Sequence, residues 1–201
     1  MTGLRRFLSA PPAEEAVVRC ELCATPMPEE HPHLVHVVDR RLLCACGPCA
    51  FLFDAPGAGG YARVPDRYLA DPGSAPSGPE WDALQIPVGI AFFLRNSVRE
   101  AVVACYPSPA GATESELTLD AWAAGPGASP LAAELHPDVE ALLVRREPAA
   151  CLLVPIDACY RLVGLVRLHW RGFDGGPEAR EAIDAFFAEL HERARPIGSR
   201  V

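Results

Sequence analysis

Two cysteine pairs constrain this chain more than any other feature. Cys20 and Cys23 flank Glu21-Leu22, Cys46 and Cys49 flank Gly47-Pro48, and residues 24–45 separate the pairs. Two thiolates two residues apart reach one tetrahedral ion from a tight turn, and a second such turn on a neighbouring hairpin closes the coordination sphere. The spacing predicts a metal site with Cys20, Cys23, Cys46 and Cys49 as ligands and zinc as the ion. A closed sphere is structural: metal binding supplies folding free energy to a segment with few large apolar side chains. Cys44 is a spare thiol beside the site and an alternative ligand to Cys46. His31, His33 and His36 lie between the pairs, as substitute ligands or as imidazoles surrounding the site.

The chain has 201 residues, enough for a small module plus a domain of ordinary size. Half of them are hydrophobic, which permits a core, while 21 prolines and 16 glycines call for many turns. The net charge of -8, with arginine supplying every positive side chain, argues against general attraction to nucleic-acid phosphates or anionic lipid. The doublets Arg5-Arg6, Arg40-Arg41 and Arg145-Arg146 read as solvated surface. Residues 1–16 read as a flexible tail, because Pro11-Pro12 and Glu14-Glu15 interrupt the apolar core an export signal needs. The apolar run from Val88 to Leu94 falls far short of the roughly 20 residues that span a bilayer. A soluble cytoplasmic protein is expected, in which eight cysteines point to metal or redox chemistry rather than to disulfides.

The fold class expected is α+β, in the following arrangement. Residues 17–70 form a zinc-ribbon-like module, with Leu34–Val38 and Arg41–Ala45 paired as a hairpin across Asp39-Arg40. Residues 71–80, DPGSAPSGPE, are turn and breaker residues and read as a linker. Residues 81–201 read as a mostly antiparallel sheet with helices on one face. Its strands are expected at Leu84–Leu94, Ala101–Tyr106 and Glu116–Ala121, followed by a helix over Leu131–Leu143 with a break near His136-Pro137. Cys151–Pro155 and Tyr160–Trp170 read as a hairpin about Ile156-Asp157, and a turn centred near Pro155 would set Cys151 opposite Cys159. After Gly175-Gly176-Pro177, the residues Ala179, Ile183, Phe186, Phe187 and Leu190 share one helical face, and Pro196 ends that helix. Cys105, Cys151 and Cys159 sit in apolar segments and read as small core hydrophobes.

Two other chemistries fit parts of the cysteine pattern. Four cysteines in two knuckles resemble rubredoxin, a one-iron electron carrier, although rubredoxin-like knuckles usually carry glycine after the second cysteine and here Ala24 and Ala50 stand there. Cys46-Gly47-Pro48-Cys49 is similar to the thioredoxin tetrapeptide, which makes a thiol–disulfide oxidoreductase using Cys46 and Cys49 the second alternative. No βαβ pattern surrounds it and no tryptophan precedes it. Gly57-Ala58-Gly59-Gly60 lacks a following Lys-Ser or Lys-Thr and reads as a turn. The polar and aromatic residues of Pro155–Tyr160 and His169–Gly172 read as a turn and strand ends, with a recognition surface as the alternative, and no catalytic residue is assigned.

The sequence also resembles an uncharacterised actinobacterial family, a domain of unknown function that accompanies nickel–iron hydrogenase structural and maturation genes. The matching stretches are CELC, CACGPC, YPSPAGATES from Tyr106 to Ser115, PDVEALLV from Pro137 to Val144, and the run from Pro155 to Gly176. The resemblance implies a hydrogenase accessory or assembly factor whose partner is a hydrogenase subunit or maturation factor. It assigns no catalytic residue. The resulting expectation is a non-enzymatic metal-binding accessory protein with a structural zinc, bound neither to nucleic acid nor within a membrane.

Overall fold

A computed structural model describes residues 17–54, 59–76, 78–115, 117–172 and 175–198. The tail expected over residues 1–16, and Gly57, Ala58 and Glu116, lie outside the described residues.

The expected N-terminal hairpin forms. Strand β1 (His33–His36) pairs antiparallel with β2 (Arg41–Cys44), and β3 (Tyr61–Arg63) adds to the other edge of β1. The turn closes because Arg40 adopts φ 59° and the Asp39 carboxylate accepts the Arg41 N–H at 3.1 Å. Alternation along the strands then sorts the side chains. Leu34 and Leu43 face a small core shared with Ala45 and with Ala50 of helix α1 (Gly47–Phe51), whereas Val35 faces the other way and joins the core of the larger sheet.

That larger sheet has seven strands: β4 (Leu69–Ala70), β5 (Ile90–Asn96), β6 (Ala101–Ser108), β7 (Gly111–Ser115), β8 (Glu140–Arg145), β9 (Ala150–Pro155) and β10 (Arg195–Pro196). Their order is β10-β4-β9-β8-β5-β6-β7, with every pair antiparallel except β10 on β4. The sheet thus uses Leu69 and Ala70, which precede the proline-rich stretch. Within that stretch Asp71 caps a 3-10 turn over Pro72–Ser74, and helix α2 (Gly78–Ala83) begins.

Helices cover both faces of this sheet, which corrects the expectation of one. On β8 and β9, Ala141, Leu143, Leu152 and Val154 point toward α5 (Ile156–His169) and α6 (Gly176–Arg193). Leu142, Val144, Cys151 and Leu153 point to the opposite side, where Trp81 and Leu84 at α2, Trp122 of α3 (Leu119–Ala124) and Leu131 of α4 (Pro130–Glu134) cover them. Burial on both faces also explains a second correction. The helix expected over Leu131–Leu143 stops at Glu134, and β8 begins at Glu140; a strand covered on both sides loses the period-2 signal.

Further corrections have local causes. Tyr160–Trp170 is not a strand: α5 starts directly after β9, with Ile156, Cys159, Leu162, Val163 and Val166 buried at helical spacing. Cys151 and Cys159 therefore lie on a strand and a helix rather than across a hairpin. The strand expected over Leu84–Leu94 is shifted to Ile90–Asn96 because Gln85 takes φ 53° and ends the helical turn before it. In place of a strand over Glu116–Ala121, β7 ends at Ser115 and Thr118 caps α3 by accepting the Ala121 N–H at 3.1 Å. The final helix forms where expected, with Ala179, Ile183, Phe186, Phe187 and Leu190 buried, and Cys105, Cys151 and Cys159 are buried as small hydrophobes.

Candidate metal centre

Cys20, Cys23, Cys46 and Cys49 converge: one sulfur from each lies within 4.8 Å of the other three. The Sγ atoms of Cys23 and Cys46 are 3.6 Å apart, close to the about 3.8 Å edge of a tetrahedron with metal–sulfur bonds of roughly 2.3 Å. The donor set fits a tetrahedral soft or borderline ion, so the group can hold a metal ion.

The two pairs arrive on different structures. Cys20 to Cys23 is a tight turn in which the Ala24 N–H donates to the Cys20 carbonyl at 2.8 Å, while the Cys20 N–H donates to the Thr25 carbonyl at 2.9 Å. Ala24 adopts φ 60°, the left-handed conformation that glycine accepts more readily, so alanine does not prevent this knuckle from forming. The second pair is not on a hairpin turn. Cys46 is the N-cap of α1 and Cys49 is its third residue, with Pro48 in the first turn. Ala50 is a helical residue whose methyl packs with Leu34 and Leu43, so its lack of a glycine has a packing reason.

The thiols differ electrostatically. Burial of Cys20 opposes its ionisation, but the backbone N–H groups of Cys46, Cys23 and Leu22 together overcome that and bring its pKa down to about 6. The Thr25 hydroxyl, 3.3 Å from Cys23 Sγ, and the Thr25 backbone lower the Cys23 pKa. Hydrogen bonding to the Cys46 and then the Cys23 sulfur pushes Cys49 up to about 12.

Cys44 is not part of this group. It faces the other side of the hairpin, where its sulfur lies within 4.8 Å of a ring nitrogen from each of His31 and His33. Burial is the main influence raising its pKa, followed by the Glu21 carboxylate and Cys20. Period-2 alternation decides the matter: Cys44 pairs with His33 in register, and both lie opposite Leu34 and Leu43. His36 goes elsewhere, its Nδ1 2.7 Å from the Asp39 carboxylate and its ring against Tyr61. Sequence reasoning missed Asp157, at the start of α5, whose Oδ2 lies 2.8 Å from His33 Nδ1. The residues are 124 apart in the chain, and no local pattern links them.

Comparison with known proteins adds one match. The model of a family of unknown function, DUF5947, matches residues 19–194, which includes the four cysteines, the histidines and both layers of helices. No curated protein and no solved structure matches the chain.

Proposed function

The chain belongs to the DUF5947 family, whose function is unknown, and from its metal centre outward we propose a non-enzymatic accessory protein that holds a structural zinc at Cys20, Cys23, Cys46 and Cys49. The observation that carries this reading is the convergence of four sulfurs from two distant turns. Four thiolates fill a tetrahedral zinc sphere and leave no position for a substrate. The module's own core, built on Leu34, Leu43, Ala45 and Ala50, is small for the three strands and helix it must order, and the ion supplies what that core lacks.

The accessory role is one of docking to a protein partner, and the sequence resemblance supports a hydrogenase subunit or maturation factor as that partner. Exposed apolar side chains favour the metal module as the docking element. Among the described residues, Val17, Val18, Leu22, Val38, Phe51 and Leu52 are exposed there, against Val98 and Leu168 in the rest of the chain. Phe51 and Leu52, at 70% and 69% exposure, end the helix that carries Cys49. Adjacent exposed apolar side chains of this size mark interaction surfaces more often than scattered ones do.

The first test is elemental analysis with a visible spectrum of protein expressed with both iron and zinc available. The proposal expects bound zinc and no colour. One iron per chain with thiolate charge-transfer bands would make the protein a rubredoxin-like electron carrier instead, and no metal with disulfide reductase activity would revive the Cys46–Cys49 oxidoreductase. The docking role predicts that the tagged full-length protein co-purifies with a hydrogenase component from its native host. A Phe51→Glu, Leu52→Glu variant should lose that component at unchanged zinc content. Recovery of no hydrogenase component by the unmodified protein would overturn the assignment of partner.

A further inference from the structure

We propose that His31, His33 and Cys44 form a second metal site, separate from the four-cysteine centre, which takes a zinc-class divalent ion through two imidazole nitrogens and one thiolate and keeps its fourth position open.

The backbone brings these three residues together. His33 and Cys44 are cross-strand partners in the β1–β2 register, so their side chains leave the sheet on one face, and His31 lies two residues before His33. The His31 and His33 ring centroids are 4.9 Å apart, and one ligand atom from each of the three residues lies within 4.8 Å of the others. A tetrahedral zinc with bonds of about 2.0–2.1 Å to nitrogen and about 2.3 Å to sulfur needs nitrogen–sulfur separations near 3.6 Å. Side-chain adjustments of about 1 Å close that gap, within ordinary rotamer freedom. The Cys44 backbone is clamped meanwhile: its N–H donates to the Glu21 carboxylate at 2.6 Å and its carbonyl accepts the Glu21 N–H at 2.9 Å.

Hydrogen bonding fixes which ring atoms are offered. His31 Nδ1 lies 3.0 Å from the Pro28 carbonyl, which only accepts, so Nδ1 carries the proton and Nε2 of the neutral ring carries the lone pair. That His31 Nε2 is buried and has no hydrogen-bond partner. A buried acceptor without a partner is uncommon in folded proteins, and a metal ion is one of the explanations such an atom invites. On His33, Nδ1 engages Asp157 Oδ2 at 2.8 Å, the carboxylate–histidine arrangement that orients a metal-binding imidazole and leaves its Nε2 for the ion. Both rings are thus turned by their outer nitrogens, one by a carbonyl and one by a carboxylate.

Two imidazoles and a thiolate are the donor mixture that borderline ions such as zinc prefer, and three protein ligands leave one position for water or for a donor atom of another molecule. His31, His33 and Asp157 line a cleft of about 2010 Å³ between the hairpin and α5, together with Tyr68 and Tyr160. The open position would face that cleft. The two centres then differ in kind, one saturated by thiolates, the other three-coordinate and accessible.

The test is a titration of the full-length protein, its four-cysteine centre already loaded with zinc, with cobalt(II). The expected result is one cobalt bound per chain without release of zinc. Its ligand-field bands should be those of a four- or five-coordinate ion, accompanied by a single weak thiolate-to-cobalt charge-transfer feature. In Cys44→Ser that feature should vanish, and Asp157→Asn should weaken binding by about 10- to 100-fold. Both variants should keep the first zinc, which reports that the module is still folded. Should a variant lose it, the spectrum of the unmodified protein still decides. Absence of cobalt uptake, cobalt uptake matched by an equal release of zinc with an intense four-thiolate spectrum, or a charge-transfer feature that survives in Cys44→Ser would each overturn the proposal.

Discussion

Replacing Cys46 with serine is expected to strip the ion from the four-cysteine centre and to unfold the hairpin module while the seven-stranded sheet persists. Serine keeps the approximate volume and removes the thiolate, so the effect reports on coordination. Structural zinc contributes an apparent 10–16 kcal/mol in isolated zinc-binding peptides at neutral pH, roughly as much as the 5–15 kcal/mol that holds an entire domain. The small core of this module, four buried residues with Cys49, Phe53 and Tyr61 partly buried against them, cannot replace a term of that size. Zinc content should fall by one per chain, and amide protons of Leu34 and Val35 should exchange at rates approaching those of an unfolded segment. Cys44→Ser is the matched control, since Cys44 lies outside the cluster: it should keep the four-cysteine ion and the protection of β1. If Cys46→Ser protein retained its full zinc and its protection, the centre would not be the staple of the module.

The second large effect is expected at Arg67. Glu140, the first residue of β8, is 0% exposed, and Arg67 meets its carboxylate with two hydrogen bonds, Nε to Oε1 at 2.8 Å and Nη2 to Oε2 at 2.7 Å. The His136 N–H donates to the same carboxylate at 2.9 Å, and Arg67 Nη2 also donates to the Glu134 carbonyl at 2.6 Å. This fork joins the segment between β3 and β4 to the loop between α4 and β8. Removing one partner of a buried ion pair costs about 3–5 kcal/mol, because the other charge stays buried without compensation. Arg67→Ala should therefore lower the denaturation midpoint of the sheet by an amount that reflects such a loss. The double variant Arg67→Ala, Glu140→Gln should recover part of it, since a neutral amide tolerates burial better than an unpaired carboxylate. Equal stability of the single and double variants would mean that the pair contributes through packing alone.

Some elements were legible because their signals are local. The hairpin across Asp39-Arg40 needs a left-handed residue and a carboxylate that accepts a nearby backbone N–H, and both are present within three residues. Helix α6 announces itself by a wide apolar stripe and a proline in its first turn. The start of helix α5 gives no such signal, because its buried residues, Ile156, Ala158, Cys159, Leu162, Val163 and Val166, include β-branched side chains that suit a strand equally well. Strand β8 hides its signal for the converse reason: the first five of its six residues, Glu140–Val144, are buried without interruption between two layers of helices. Trp81, Leu84 and Leu131, which cover the far face, come from segments that no strand pattern identifies as its neighbours.

By itself the sequence put Cys20, Cys23, Cys46 and Cys49 forward as one group, with Cys44 as an alternative to Cys46, since two cysteines separated by two residues present their sulfurs together wherever a turn closes, and the four sulfurs do meet. The tertiary structure alone decided the placement of the remaining thiol and histidines. Cys44 and Cys46 are two apart, and along an extended strand that spacing would put them on one face. The strand ends at Cys44 and α1 begins at Gly47, so the chain turns between the two sulfurs and sends them to opposite sides. What meets Cys44 there depends on cross-strand register, which brings His33 beside it, and on the packing of α5, which delivers Asp157 to the outer nitrogen of that ring. Register and packing join residues far apart in the chain, and no spacing within a single segment encodes such contacts.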